Sequence, residues 1–372
     1  MEELGVHAPE MTVPGSPAGG GSANAPSTEK KDSAPRKHAS WGKRVFLIVR
    51  IAVGAGLLWW VFHKFIKVEE IRDLAKRTDR VLLILGLLTE LLPIFITTFR
   101  WQILLRPVEI RLGFLRTLHF NYLGLFFNNF LVGLTGGDLV KAILIARGTD
   151  RRAAAVLTVF VDRLVGLVTL ALIAGVACFA RLGNPDFLLA AAILWGFLVS
   201  FTLFGLVYFN RRLRAAQWVR GLRRKLPGRR ILIELDDAAH AYRGEWGVLA
   251  GAFVLSVFGH AASIGGAFIL ARSLGSTVAL VDVLIYFPVV MMIASVPISI
   301  GTWGVGEAAF VGFFHKVGMP DATAVGLSLL VRLSQAIWTL PGGLLLAIDP
   351  AERKAVKEAE AEAELDGDEQ GS

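Results

Sequence analysis

Five ionisable residues, Asp138, Asp162, Arg163, Glu307 and Arg332, stand in stretches that are otherwise almost wholly apolar. A charge at a bilayer centre costs roughly 2.5–3.5 kcal/mol on insertion scales, so each needs a partner or a polar cavity and belongs inside a helix bundle. Their spacing repeats: Asp138 and Arg163 are 25 residues apart (163 − 138), and so are Glu307 and Arg332 (332 − 307). Glycines precede both acids, Gly136 and Gly137 before Asp138, Gly304 and Gly306 before Glu307. Helix N-termini at such breaks would turn free N–H groups and the positive end of the dipole toward the membrane interior, a setting for an anion. Two arginines nearby would add forked donors that suit a phosphate. The structural alternative is that Asp138 and Glu307 cap those helices and pair with the arginines for folding alone.

The economical pairing joins Asp138 or Glu307 with Arg163 or Arg332, and sequence does not say which. Asp162 and Arg163 are adjacent, about 100° apart on a helix, so each must find its partner elsewhere. Asn129, with His119, Asn121 and Asn128, can line the pore side of the same segment or bond between helices. Arg100, near the inner end of its span, is expected to snorkel to the interface. No HExxH spacing, GxSxG elbow, Walker loop or GxGxxG loop occurs, so no catalytic residue, metal or cofactor is assigned. Cys178 is the single cysteine, which leaves no disulfide within the chain.

The elements that must position these residues are transmembrane helices. The chain of 372 residues is 54% hydrophobic with mean hydropathy +0.57, and runs long enough to cross a bilayer begin at Val45, Val81, Ala153, Phe187 and Gly247. The net charge of +8 could point to nucleic acid, but its lysines and arginines cluster beside apolar runs, as they do on the cytoplasmic side of a membrane protein. The loop "RRLRAAQWVRGLRRKLPGRR" after Asn210 is therefore placed inside, and so are both termini. The basic loop 67–80 disagrees with this topology, a conflict softened by its acidic residues. Residues 1–40 form a polar tail with no evident signal peptide, 41–350 the membrane domain, and 351–372 an acidic cytoplasmic tail.

Two segments break the pattern of plain spans: 117–147, interrupted by "NNFLVGLTGGD", and 283–316, interrupted by "SVPISIGTWGVGE". Such glycine and proline density is tolerated at membrane depth only where protein or water surrounds the backbone. Aligned, the segments form two halves of a repeat, and the topology makes the halves antiparallel. The expectation is an all-α membrane protein with about six full spans and two re-entrant broken helices, or about eight spans if the hairpins cross.

The blocks "GGDLVKAILIARG" with "AAAVLTVFVDRLVGL", followed by "VPISIGTWGVGEAAFVGFF" with "AVGLSLLVRL", resemble the flippase-like membrane domain of lysylphosphatidylglycerol synthases, the multiple peptide resistance factors. The resemblance covers about residues 41–350 and implies a lipid-translocating domain in its standalone form, with Asp138, Arg163, Glu307 and Arg332 at the family's recurrent polar positions. Gly306 stands where an arginine is common in that family. The bifunctional synthases carry a soluble aminoacyl-transferase domain after the membrane part, whereas this chain stops at an acidic tail; aminoacyl transfer is not expected. The leading expectation is an inner-membrane flippase for an anionic phospho- or glycolipid. The alternatives are an intramembrane transferase acting on a lipid-linked substrate, and a membrane partner of a soluble lipid-modifying enzyme.

Overall fold

The computed structural model describes residues 68–130, 137–149, 151–181, 185–209, 241–295 and 304–348, with residues 56, 59, 183, 350, 353 and 354. The expectations for 1–40, 45–66, most of 211–246 and the acidic tail therefore lie outside the described residues. All described elements belong to the unit Ser40–Ser372, and among the described residues there are helices and no strands. In chain order they are α1 (Val68–Arg77), α2 (Arg80–Thr89), α3 (Leu92–Leu104), α4 (Phe114–Phe130), α5 (Gly137–Arg147), α6 (Arg152–Ala177), α7 (Pro185–Phe209), α8 (Trp246–Ser273), α9 (Leu280–Ser295), α10 (Val305–Phe314) and α11 (Asp321–Ile348).

Among the described residues, four helical stretches are long and apolar enough to cross a membrane: α2 with α3, α6 with its terminal 3₁₀ turn, α8 and α11. The first three coincide with the apolar runs expected to begin at Val81, Ala153 and Gly247. Their outer faces are apolar rather than polar: Val81, Leu85, Leu88, Leu92, Phe95 and Phe99 form one exposed stripe along α2 and α3, and Leu333, Ile337, Leu340 and Leu344 another along α11. Steps of three and four residues hold each stripe on one helix face. In water such patches would drive association; in a bilayer they face their own solvent.

Each expected hairpin is a pair of helices, α4 with α5 and α9 with α10. The second arms, α5 and α10, have 11 and 10 residues. At 1.5 Å rise per residue they reach roughly 15 Å, about half the hydrocarbon thickness.

The halves pack reciprocally. Arm α4 lies on α11, the last span of the other half, and α9 lies on α6; α5 packs on α6, and α10 on α11. The first spans of the halves, α2–α3 and α8, pack on each other, and their contacts run in opposite directions along the two stretches. The Asp79 amide donates to the Ser273 carbonyl at 2.8 Å, Gly86 meets Leu270, Gly266 meets Glu90, Gly259 meets Ile96 and Gly251 meets Ile103. The Tyr242 hydroxyl closes the series on the Leu104 carbonyl at 2.6 Å. Corresponding spans are thus antiparallel, and the repeat is inverted. Glycines at four of these crossings let the backbones approach closely, the usual basis of helix association in lipid. Two apolar cores follow the same plan, one holding α4 and α5 around Trp101, Leu123 and Phe127, the other holding α9 and α10 around Tyr286, Phe310 and Phe314.

Candidate functional site

The second-half site is assembled at the start of α10. Gly304 has φ 83°, a conformation open to glycine and rare for other residues. It turns its N–H toward the first helical turn, where the Glu307 carboxylate accepts it at 2.6 Å. From α11, Arg332 closes on the same carboxylate, Nε against Oε1 and Nη2 3.4 Å from Oε2. Gly306 makes the approach possible, since a Cβ there would lie 2.6 Å from Arg332 Nη2. Glu307 is wholly buried and the Arg332 side chain is 16% exposed.

The first-half site repeats the plan. Asp138, in the first turn of α5, pairs with Arg163 Nε from α6. Among the described residues, Asp138 engages only that edge of the guanidinium. The Asn128 side-chain oxygen accepts the Gly137 amide at 2.7 Å and serves as cap of the helix. Gly137 also lets the arms of the hairpin cross, because a Cβ on it would stand 1.8 Å from the Gly124 carbonyl oxygen. Gly136 lies outside the described residues. The pairing left open by sequence is therefore within each half, Asp138 with Arg163 and Glu307 with Arg332. The two pairs differ in access: the Arg163 and Asp138 side chains are 50% and 35% exposed.

Behind the first pair lies a buried polar layer. Asp162 does not join Arg163; it accepts from Arg100 Nε at 2.8 Å, and Arg100 Nη1 donates to Ser256 Oγ at 2.8 Å. The snorkelling expected of Arg100 is corrected: the residue is 6% exposed and tied across three helices. The signal was Asp162, a mid-span carboxylate with no cation on its own helix face, which demanded a cation from a distant segment. Lys141, one turn after Asp138, is also buried; its ammonium donates to Asn121 at 3.1 Å and lies 3.5 Å from the centre of the Trp101 ring. Asn121 passes the network on to Thr98 at 2.9 Å. Asn129 instead bonds Thr339 on α11 at 3.2 Å, an interhelical contact. The first-half cluster thus holds Arg100, Lys141 and Arg163 against Asp138 and Asp162, a formal excess of one positive charge that favours an anion.

Sequence reasoning also passed over Glu90, buried between α2 and α3, and over the clamp at the end of α6, where Arg181 donates twice to Asp282 of α9 at 3.0 and 3.1 Å. Two chemically matched residues 101 positions apart leave no local pattern to read.

Comparison with known proteins agrees with this architecture. A family model described as the lysylphosphatidylglycerol synthase TM region matches residues 47–342. The UPF0104 membrane protein PH1989 of Pyrococcus horikoshii is 24% identical over 328 residues, covering 82% of this chain and 96% of the relative.

Proposed function

The chain belongs to the lysylphosphatidylglycerol synthase transmembrane-region family, and from that premise we propose that it is a flippase, moving lipids with anionic phospho- or glyco- head groups between leaflets rather than acting as an enzyme. The observation that carries this reading is the unlike access of two equivalent sites: Arg163 and Asp138 are half open, while Arg332 and Glu307 are closed. In transporters built from inverted repeats, the outward and inward forms arise by movement of one repeat or bundle against the other around a midplane site. Exchange of the two conformations would seal Asp138–Arg163 and open Glu307–Arg332.

In the open site, Asp138 holds Arg163 by Nε, so the terminal nitrogens of the guanidinium are the donors for a phosphate. The excess positive charge of the surrounding layer offsets the phosphate's charge, and the apolar stripes outside leave the acyl chains in lipid. The basic loop 211–246 and both termini are assigned to the cytoplasmic face of the cell membrane. Single cysteines introduced in that loop should react with a membrane-impermeant thiol reagent only from the inside, and those in 272–281 only from the outside. The opposite labelling rules out the orientation.

The direct test uses purified protein in vesicles with fluorescent or radiolabelled anionic phospholipids, glycolipids and isoprenoid phosphates. Exchange between leaflets should exceed that of protein-free vesicles for at least one anionic head group. Equal rates for every head group would remove the flippase reading.

A further inference from the structure

Glu90 sits in the break that divides the first span, after α2 ends at Thr89 and before α3 starts, with Pro93 in its first turn. The carbonyl of Leu87 in this broken stretch is served from α11, by Trp338 Nε1 at 2.7 Å and Ser334 Oγ at 3.5 Å. The carboxyl group is less well provided. Glu90 is 6% exposed, its Oε2 accepts one long hydrogen bond from Ser263 of α8 at 3.4 Å, and its buried Oε1 has no hydrogen-bond partner among the described residues. The opposing surface is Gly266, where a Cβ would lie 2.7 Å from Oε1.

Further along the same two helices Arg100 reaches Ser256 of α8, whereas Glu90 faces Gly266, which offers its carboxyl group no donor. On the packed helices, Arg100 pairs with Asp162, His260 meets the Gly166 carbonyl at 2.9 Å, Arg272 donates to the Ser276 carbonyl and Arg332 pairs with Glu307, while Arg80 and Asp321 stand at the first residues of α2 and α11. A carboxylate this deep with a single weak donor would be an uncompensated charge. Two carboxylate oxygens and one hydroxyl are too few for a metal cation, which takes about six oxygen ligands.

We propose that Glu90 is a proton-binding site, the group through which a proton is carried by the same device that moves the lipid. This role rests on the transport reading, whereas the proton site itself does not. The break containing Glu90 leans on α11 through Ser334, two positions from Arg332, so a movement of α11 that opens the second site also withdraws the donors to Leu87 and exposes Glu90 to water. There the proton passes from the carboxyl oxygen to water, and the carboxylate takes another when the break closes.

The test is infrared difference spectroscopy of reconstituted protein titrated from mildly acidic to alkaline solution. A carbonyl stretch of a buried carboxylic acid should be present in the wild type, absent in Glu90→Gln and displaced in Ser263→Ala, which keeps the acid and removes its hydrogen bond. A band unchanged in both variants, or one whose titration moves with sodium at fixed pH, overturns the proposal. In vesicles, a pH gradient should accelerate lipid exchange by the wild type and have no effect on Glu90→Gln. A gradient response retained by Glu90→Gln overturns the coupling role. Absence of exchange by the wild type overturns the transport reading instead, and leaves the infrared result to decide the proton site.

Discussion

Asp162→Ala is expected to lose about 3–5 kcal/mol of stability, the usual cost of removing one member of a buried ion pair. The Arg100 and Asp162 side chains are 7% and 10% exposed, and after the substitution Arg100 keeps only Ser256 as a hydrogen-bond partner among the described residues. Ser256 is neutral, so the guanidinium remains a charge buried between helices whose outer faces meet lipid. Replacing both partners at once, with Arg100→Met and Asp162→Leu, removes the stranded charge and should recover most of the loss. Thermal unfolding in detergent checks the pair, with recovery of monodisperse protein as a second reading. A double variant as unstable as Asp162→Ala would mean that Arg100 is not held by this carboxylate.

Much of this architecture was legible because a bilayer imposes strict rules on sequence. Long apolar runs located the spans of α2 with α3, α6, α8 and α11, and the density of glycine around Asp138 and Glu307 located the breaks. The equal spacing of Asp138–Arg163 and Glu307–Arg332 carried the repeat, and each spacing proved to be one ion pair. The antiparallel register of α8 on α2 and α3 could not be read in advance, because Gly251, Gly259 and Gly266 look alike until a facing side chain is known. Arg100 was misjudged for a similar reason: position along a helix tells depth, but whether a guanidinium turns to lipid, interface or core depends on what the neighbouring helices bring. Ser256 is 156 residues away from it. Glu90 gave no signal in the sequence, because nothing local to it tells that its Oε1 meets no hydrogen-bond donor among the described residues.

Arg163→Gln should lower lipid exchange by about tenfold to a hundredfold while leaving the protein folded. The loss corresponds to about 1.5–3 kcal/mol, the range for a hydrogen bond to a charged group. The pair with Asp138 is half exposed, so losing it costs less stability than losing a sealed pair such as Arg332 with Glu307. Arg332→Gln provides the contrast, since it strands Glu307, which has no exposure, and should destabilise the protein before transport can be measured. Arg163→Lys keeps the charge but not the planar fork, so a phosphate read by two nitrogens should still be handled poorly. The decisive variant exchanges the charges, Asp138→Arg with Arg163→Asp. It rebuilds an ion pair and removes the cation from α6, so folding should survive and exchange should remain low. Full exchange by the swapped protein would mean that the two residues merely hold α5 against α6, and the phosphate contact would have to be sought among Lys141 and Arg332.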